Sequence, residues 1–193
     1  MLLTEPELEI DAHENYVKQT YRNRCRILTA GGIDELSIPV LGGRKKIATK
    51  DIKIDYSQKW LNRNWRAIQS AYGNAPFFEY YAEDFLTIYE KKPTFLFDLT
   101  FELLTQCLNT IKIDIELKFT NDYHDLKKRP QDDLRSIISP KTNSNIINTY
   151  NQVAYQQVFG NEFVNNLSVI DLIFCEGPQA GGIIKSGIDK GTL

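Results

Sequence analysis

The sequence predicts one α+β domain over residues 1–193. A small, mainly antiparallel N-terminal sheet packs against several helices, and a C-terminal helical segment follows. Apolar residues near the N-terminus alternate with polar ones, which is the period of a strand. From about residue 57 to residue 111 they recur every three or four positions, as in amphipathic helices. A chain of 193 residues, 42% hydrophobic and 25% charged, has the size and composition of one globular domain.

The N-terminal strands are predicted from alternation and from turn chemistry. Residues 8–10 alternate between apolar and acidic side chains, and residues 25–29 form a second strand-like run. The glycine pair at 31–32 is typical of a hairpin turn. Residues 36–40 alternate again and would form the returning strand. Residues 47–54 are predicted to form a further strand.

Three helices are predicted to follow and to cover the sheet with their apolar stripes. The first has Ser57 as its N-cap and places Trp60 and Trp65 in or beside the core. The second begins near Pro76, because proline is favoured in the first turn of a helix. The third begins near Thr94, which would be its N-cap.

The second half of the chain is predicted to be more varied. Residues 113–119 alternate regularly and form the clearest half-buried strand. Residues 121–145 are polar and are predicted to be a long loop. Residues 146–158 are predicted to be helical, and a short helix would follow a capping-box-like sequence at 168–171. The last residues, 181–193, are expected to be frayed.

The densest group of hydrogen-bond donors lies in the N-terminal third. Seven long polar side chains occupy nine positions: Lys18, Gln19, Tyr21, Arg22, Asn23, Arg24 and Arg26. Guanidinium and ammonium groups bind anions. We therefore expect Lys18, Arg22 and Arg24 to bind an anionic or sugar-containing small molecule, which Tyr21 or Asn23 would orient. In the alternative interpretation, the arginines pair with neighbouring acidic residues and serve the fold.

Further residues extend this candidate site. Arg63 and Arg66 are three positions apart on the first predicted helix and would share one face. Glu79 lies among the aromatic residues at 77–81, where burial would raise the pKa of its carboxyl group. If the protein performs acid–base chemistry, Glu79 and His13 are the predicted catalytic residues. In the alternative interpretation, Glu79 is a surface residue.

Several classes of function are disfavoured. The formal net charge is −2, so nucleic-acid binding is not expected. No apolar run reaches the roughly 20 residues of a membrane helix. Metal-ligand spacings and nucleotide-binding motifs are absent, so no metal site is predicted and the sequence identifies no cofactor. The N-terminus lacks a secretory signal and the three cysteines lie far apart, which predicts a cytoplasmic protein with reduced thiols.

Seven blocks spread over nearly the whole chain are specific in combination. They are His13-Glu14-Asn15-Tyr16, Lys18 to Cys25, Leu36-Ser37-Ile38-Pro39-Val40, Trp65 to Tyr72, Ala75 to Tyr81, Tyr155 to Phe159 and Asn166 to Leu172. In this combination the sequence resembles the WbqC-like family of bacterial proteins.

The resemblance implies a place in surface-polysaccharide biosynthesis. Genes for members of this family often lie among genes for O-antigen and other surface polysaccharides. A transferase role, adding glycine to a sugar, has been suggested for some members. The resemblance therefore implies a transferase-like protein, but it supplies no established catalytic residues. The alternative is a non-catalytic binding or assembly protein that docks onto a pathway enzyme through exposed aromatic residues such as Tyr80, Tyr81 or Tyr89.

The chain departs from the family pattern at its N-terminus. Members usually begin with an apolar strand and a proline-containing, aromatic-rich turn before the block at His13. Met1 stands too close to His13 for both, so we expect this chain to lack that strand, either because the start codon is misassigned, because the chain is truncated, or because this member has lost the segment. If the turn forms part of the site, the site of this version is incomplete. Residues 121–145 are also short against longer members.

Overall fold

The computed structural model describes residues 7–42, 46–121 and 151–187, and it has the expected α+β architecture. Its elements are β1 (Glu7–Ile10), β2 (Arg24–Thr29), β3 (Gly32–Ser37), α1 (Trp60–Tyr72), α2 (Phe78–Glu90), α3 (Leu96–Thr110), β4 (Glu116–Phe119), α4 (Val169–Glu176) and α5 (Ala180–Ser186). None of these helices is long and apolar enough to cross a membrane. The loop predicted at 121–145 lies, apart from Asn121, outside the described residues.

The predicted N-terminal hairpin is present. β2 and β3 are antiparallel, with Cys25 opposite Leu36 and Thr29 opposite Gly32. The backbone at Gly32 has a φ of 104°, a conformation that residues with a Cβ rarely adopt, so the turn needs a glycine there. The returning strand ends at Ser37, earlier than the alternation predicts.

The first strand does not join this hairpin. β1 pairs in parallel with β4, so that Glu7 lies opposite Glu116 and Ile10 lies opposite Phe119. α1, α2 and α3 separate the two strands in sequence and provide the long crossover that a parallel pair requires. The small sheet expected at the N-terminus is therefore two separate pairs, one antiparallel and one parallel. β4 covers only the second half of the strand predicted at 113–119.

Residues 47–54 do not form the predicted strand. A 3₁₀ turn at Thr49–Asp51 interrupts the segment, which otherwise makes isolated bridges such as that between Asn15 and Ala48. Two isoleucines that follow are buried, and their alternation with exposed residues gave the segment its strand-like pattern. The alternating pattern here belongs to a chain that lies against the core and pairs with its neighbours only through single bridges, Lys53 with Phe95 and Ile54 with Val40.

The central helices follow the predicted apolar stripes, but two predicted caps are wrong. The buried residues of α1 and α3 are Trp60, Asn64, Trp65, Ile68, Ala71, Tyr72, Leu96, Leu99 and Cys107. The hydroxyl of Ser57 donates to Asp55 Oδ1 at 2.6 Å, and the N-cap of α1 is Lys59. The N-cap of α3 is Phe95 instead of Thr94. Ser57 lies two positions, and Thr94 one position, before the N-cap that the structure shows.

Buried side chains form two clusters joined by shared neighbours. The larger joins the hairpin to α1–α4 and includes Ile27, Leu36, Trp65, Ile68, Tyr72, Phe85, Cys107, Ile111, Ile173 and Phe174. The smaller consists of Tyr16, Ile38, Ile52, Ile54, Trp60, Ile88, Leu96 and Leu99. Tyr89 and Leu103 pack against both clusters. Trp60 and Trp65 are therefore core residues, as predicted.

The segment before α4 is extended, which contradicts the helix predicted at 146–158 for the part that is described. No helix covers residues 151–158. The side chains of Tyr155 and Gln157 both reach Asp171 Oδ1, at 2.6 and 3.2 Å. Residues two apart share one side of an extended chain. The segment is held by these side-chain hydrogen bonds, which a periodicity of apolar residues does not reveal.

A helix stands at the start of the segment predicted to be frayed. α4 ends at Glu176 with Gly177 as its C-cap, and a 3₁₀ turn leads into α5. The start of the tail expected to be frayed (181–193) therefore belongs to a helix, and residues 188–193 lie outside the described ranges. Gly181 is buried against the backbone of Ile111, at the end of α3. The missing side chain of Gly181 allows this close approach of the two segments.

Candidate functional site

A polar group lies at one edge of the parallel pair, where the turn at residues 11–14 meets Thr120, and the side chain of Glu14 in this turn pairs with Arg22. Asp11 directly follows β1 and Thr120 directly follows β4. Both side chains lie at the same edge, because the carboxyl ends of parallel strands lie together. His13, Glu14 and Arg22 complete the group, which we call the Asp11 cluster. Only its contact between Asp11 and Thr120 joins positions far apart in the sequence.

One carboxylate oxygen organises this cluster. Asp11 Oδ1 accepts the backbone amides of His13 at 2.9 Å and Glu14 at 3.0 Å, and the hydroxyl of Thr120 at 3.2 Å. His13 Nδ1 lies 3.5 Å from Thr120 Oγ1. Thr120 is 6% exposed whereas His13 is half-buried. His13 is thus the more exposed of the two residues.

Arg22 and Glu14 form a two-point ion pair. Arg22 Nε and Nη2 donate to Glu14 Oε1 and Oε2, each at 2.6 Å. The two side chains are 19% and 17% exposed, and the planar guanidinium matches the carboxylate geometry. The pair closes residues 14–22 into a loop. Arg22 therefore has the acidic partner that the alternative interpretation of the arginine-rich segment predicts.

Arg24 also has a carboxylate partner. Its Nη1 donates to Glu35 Oε1 at 2.5 Å across the hairpin, where the side chains are 28% and 37% exposed. The neighbouring Asn23 donates its Nδ2 to the carbonyl of Ile38 at 2.9 Å. Asn23 Oδ1 and Arg24 Nε are buried without a hydrogen-bond partner in the described residues. The segment thus offers fewer unpaired positive charges than its sequence suggests.

Two tyrosines connect the arginine-rich segment to the rest of the fold. Tyr16 is 6% exposed, and burial raises the pKa of its phenol although Arg24 and Arg22 act in the opposite direction. The hydroxyl of Tyr21 accepts a hydrogen bond from Asn166 Nδ2 at 3.3 Å. Tyr21 therefore contacts the C-terminal part of the chain, and Tyr16 packs in the smaller core cluster.

The tip of the loop at 14–22 carries the one lysine of the predicted site. Lys18 is exposed, and its ammonium group makes no hydrogen bond or ion pair with the described residues. Gln19 has a φ of 59°, in the left-handed region that costs a residue with a Cβ free energy. The hydroxyl of Thr20 donates to the carbonyl of Val17 at 2.8 Å and holds the tip closed. Lys18 is thus presented to solvent on a constrained loop.

The other predicted site residues are not joined to the Asp11 cluster. Arg63 and Arg66 lie on the exposed side of α1, between and beside residues that face the core. Glu79 is exposed in the first turn of α2. In the part of the chain that the structure describes, no hydrogen bond or ion pair links these three residues to His13 or Arg22. The candidate catalytic pair His13 and Glu79 therefore has only one member in the cluster.

A second polar group, not predicted from the sequence, lies in the core. Asp171 is fully buried and accepts the hydroxyl of Tyr72 at 2.9 Å, the hydroxyl of Tyr155 at 2.6 Å and the side-chain amide of Gln157. The hydroxyl of Tyr72 in turn accepts the amide of Leu28 at 3.2 Å. Burial, reinforced by Asp171, raises the pKa of both phenols. We call these four side chains, without Leu28, the Asp171 group.

The capping-box interpretation of residues 168–171 hid this group. Ser168 is the N-cap of α4 by position, but its side chain makes no capping hydrogen bond. The Asp171 side chain points into the core instead. An aspartate three residues after a serine looks the same in the sequence whether it caps a helix or accepts a hydrogen bond in the core. The residue that distinguishes the two is Tyr72, which is 99 positions away.

Two concave regions lie away from the Asp11 cluster. One, of about 430 Å³, separates α2 from α3, and a smaller one, of about 230 Å³, lies between residues 152–155, the start of α4 and α5. Neither brings the arginine-rich segment together with Arg63 or Arg66, a convergence that would favour an enzyme. Within residues 7–42, 46–121 and 151–187, no three metal-ligating side chains are close enough to hold a metal ion.

Comparison with known proteins identifies the family. The model of the WbqC-like protein family matches residues 10–149 and 139–183. The uncharacterised protein Rv1507c of Mycobacterium tuberculosis is 32% identical over 110 residues, which are 56% of this chain and 47% of that protein. The chain thus spans about half the length of this curated relative. No solved structure matches the chain significantly. Since the family model matches well over half of its residues, the chain belongs to the WbqC-like protein family.

Proposed function

We propose that this chain is a transferase-like protein of surface-polysaccharide biosynthesis, of the O-antigen type, and that the Asp11 cluster binds the sugar. The family relationship supports the pathway. The observation that carries the site is the meeting of His13, Thr120 and Asp11 beside the ion pair of Glu14 and Arg22. The reaction would transfer an aminoacyl group, such as glycyl, or a related group to the sugar.

The charges of the cluster favour hydroxyl groups over a bare anion. A phosphate entering it would meet the carboxylates of Asp11 and Glu14 and a guanidinium, that of Arg22, which is already paired. Sugar hydroxyls both donate and accept hydrogen bonds, so they match a surface of mixed donors and acceptors. Lys18 is exposed on the loop at 14–22, and in this proposal it binds an anionic substituent such as a nucleotide phosphate. A sugar with an anionic group therefore fits both parts.

His13 supplies the acid–base chemistry in this proposal. A sugar hydroxyl or amine attacks the carbonyl carbon of an activated acyl donor, and the new bond forms there. His13 accepts the proton that the nucleophile loses. The leaving group departs with the electron pair of its bond to the carbonyl carbon. Glu79 has no part in this scheme, because it lies on the exposed start of α2.

Thermal shifts test the proposal directly. The purified chain would be titrated with nucleotide sugars, free sugars, glycine, acyl donors and inorganic phosphate. We expect a sugar-containing ligand to raise the melting temperature in a saturable way, because a ligand that binds only the folded state stabilises it. The Glu14→Gln and Arg22→Ala variants should lose this response. Lys53→Ala, which removes an exposed charge outside the cluster, should keep it.

Two results would contradict the sugar site. Stabilisation by inorganic phosphate that persists in Glu14→Gln would indicate anion binding elsewhere. Loss of the response in Arg66→Ala, with Glu14→Gln unaffected, would move the site to α1.

A non-catalytic assembly protein is the second candidate, and one exposed aromatic residue favours it. Tyr80 is 75% exposed on α2, whereas Tyr81 and Tyr89 are partly buried. Aromatic residues are enriched at protein interfaces. A protein of this class would respond to no ligand of the panel. It would form a complex with a purified enzyme of the same pathway, and Tyr80→Ala would weaken that complex in size-exclusion chromatography.

A further inference from the structure

The hydroxyl of Thr120 lies between the carboxylate of Asp11, which can only accept a hydrogen bond, and the imidazole of His13, whose Nδ1 can donate or accept one. It lies 3.2 Å from Asp11 Oδ1 and 3.5 Å from His13 Nδ1. An ionised carboxylate has no hydrogen to donate, so the single hydroxyl hydrogen of Thr120 must point to Asp11. The oxygen of Thr120 then has only lone pairs left for His13. Nδ1 of His13 must therefore carry the hydrogen of that contact.

We propose that Asp11 and Thr120 are positioning residues that hold His13 in the Nδ1–H tautomer, with Nε2 as the unprotonated, proton-accepting nitrogen. This inference rests on the proposed function, in which His13 accepts a proton. It adds which nitrogen does so and which residues decide it. The hydrogen bond made by one ring nitrogen fixes the state of the other.

The opposite arrangement, in which Thr120 donates to His13, would bring two oxygens together. If Thr120 donated to His13, its oxygen would face Asp11 Oδ1 at 3.2 Å with no hydrogen between them. Two electron-rich oxygens would then be in contact at a position where Thr120 is 6% exposed, so water would screen them little. The backbone amides that Asp11 also accepts keep its carboxylate in place.

The arrangement also explains how His13 would hold the proton that it receives. When Nε2 is protonated, Nδ1 keeps its hydrogen and its contact with Thr120. The negative charge of Asp11 then lies behind one hydroxyl and stabilises the imidazolium ion. Because Nδ1 faces the buried Thr120, Nε2 is the ring nitrogen that does not take part in this contact.

Nitrogen NMR of the intact chain tests the tautomer without any substrate. Histidine labelled with ¹⁵N would be incorporated into a His124→Gln variant, which leaves His13 as the single histidine of the sequence. At a pH where the ring is neutral, we expect the chemical shifts and ring couplings of an Nδ1–H imidazole. Thr120→Val should shift the population towards the Nε2–H form that free imidazole side chains prefer. Thr120→Ser, which keeps the hydroxyl, should restore the parent spectrum.

A parent spectrum dominated by Nε2–H would overturn the inference, whatever the variants show. An Nδ1–H spectrum that is unchanged in folded Thr120→Val would overturn the role of Thr120. Asp11→Asn keeps an oxygen for the backbone amides but removes the charge, and it should reduce the Nδ1–H population. If Thr120→Val does not fold, the parent and Thr120→Ser spectra still decide. The Nδ1–H result would stand even if no sugar bound, so the two proposals fail separately.

Discussion

The two aspartates at the centre of the polar groups make similar hydrogen bonds in opposite surroundings. Asp171 is 0% exposed and accepts two phenols and one amide from distant parts of the chain. Asp11 accepts two neighbouring backbone amides and one hydroxyl, and it lies beside a half-buried histidine. Every donor of the Asp171 group is used within the core. The Asp11 cluster contains a half-buried histidine, and for this reason we propose it, instead of the Asp171 group, as the ligand site.

Removing the buried aspartate should have the largest effect on stability. Asp171→Ala leaves the hydroxyl groups of Tyr72 and Tyr155 without their acceptor in the core, while the amide of Gln157 keeps only the carbonyl of Val164. Unsatisfied buried donors cost about 1–3 kcal/mol each, so we expect the free energy of unfolding to fall by about 3–5 kcal/mol. Urea denaturation followed by circular dichroism would measure it. Asp114→Ala, at an exposed position, is the matched control and should change stability by less than about 0.5 kcal/mol.

A loss below about 1 kcal/mol in Asp171→Ala would remove the distinction between the two aspartates. It would mean that water can enter the Asp171 group and accept the hydrogen bonds that the carboxylate accepted.

The next largest effect is expected where the C-terminal helix meets α3. A Cβ at position 181 would collide with the carbonyl oxygen of Ile111, which belongs to the backbone and does not yield easily. Gly181→Ala should therefore lower the free energy of unfolding by about 1–3 kcal/mol. A Cβ at position 182 meets nothing within 4 Å, so Gly182→Ala should raise stability by up to about 1 kcal/mol through the helix propensity of alanine.

The same denaturation curves measure both glycine variants, which differ by one position in one helix. Equal effects of Gly181→Ala and Gly182→Ala would show that α5 is not packed as the structure describes. The Asp171 group would then be the remaining evidence that the C-terminal part of the chain packs tightly against the helices.

The smallest effects are expected for the two arginine ion pairs. Arg24→Ala breaks a contact with Glu35 in which the side chains are 28% and 37% exposed, more than in the Arg22 pair, so it should cost less than about 1 kcal/mol. Arg22→Ala leaves Glu14 without the partner of a two-point pair that is about one-fifth exposed, and it should cost more. Thermal melts at low and high salt would rank them. If Arg24→Ala proved the more damaging, the arginine of the hairpin would be the structural one.

The elements with local sequence signals were predictable. The glycine turn marked the hairpin, and apolar stripes marked α1, α2 and α3. The pairing of β1 with β4 was not, because two short alternating strands carry no signal that names a distant partner. The Asp171 group escaped for the same reason, since Tyr72 and Asp171 are 99 positions apart.

The candidate site was predicted in part. Lys18, Arg22 and His13 were selected from the sequence, and two of them lie in the Asp11 cluster. Asp11 and Thr120 were not selected, since each is an ordinary residue at a strand end until the other is placed beside it. The carboxylate partner of Arg22 was foreseen only as an alternative, because a charged side chain in sequence does not state which neighbour it will meet.

The parallel pairing of β1 and β4 also sets the order of events when the chain folds. Asp11 and Thr120 are 109 positions apart, so their contact is among the most non-local in the molecule. Closing so long a loop is entropically costly until the intervening helices have compacted the chain. During synthesis, at roughly 5–20 residues per second, the N-terminal half of the cluster therefore waits several seconds for its other half. The contact between Asp11 and Thr120 can therefore form only after more than half of the chain has been made.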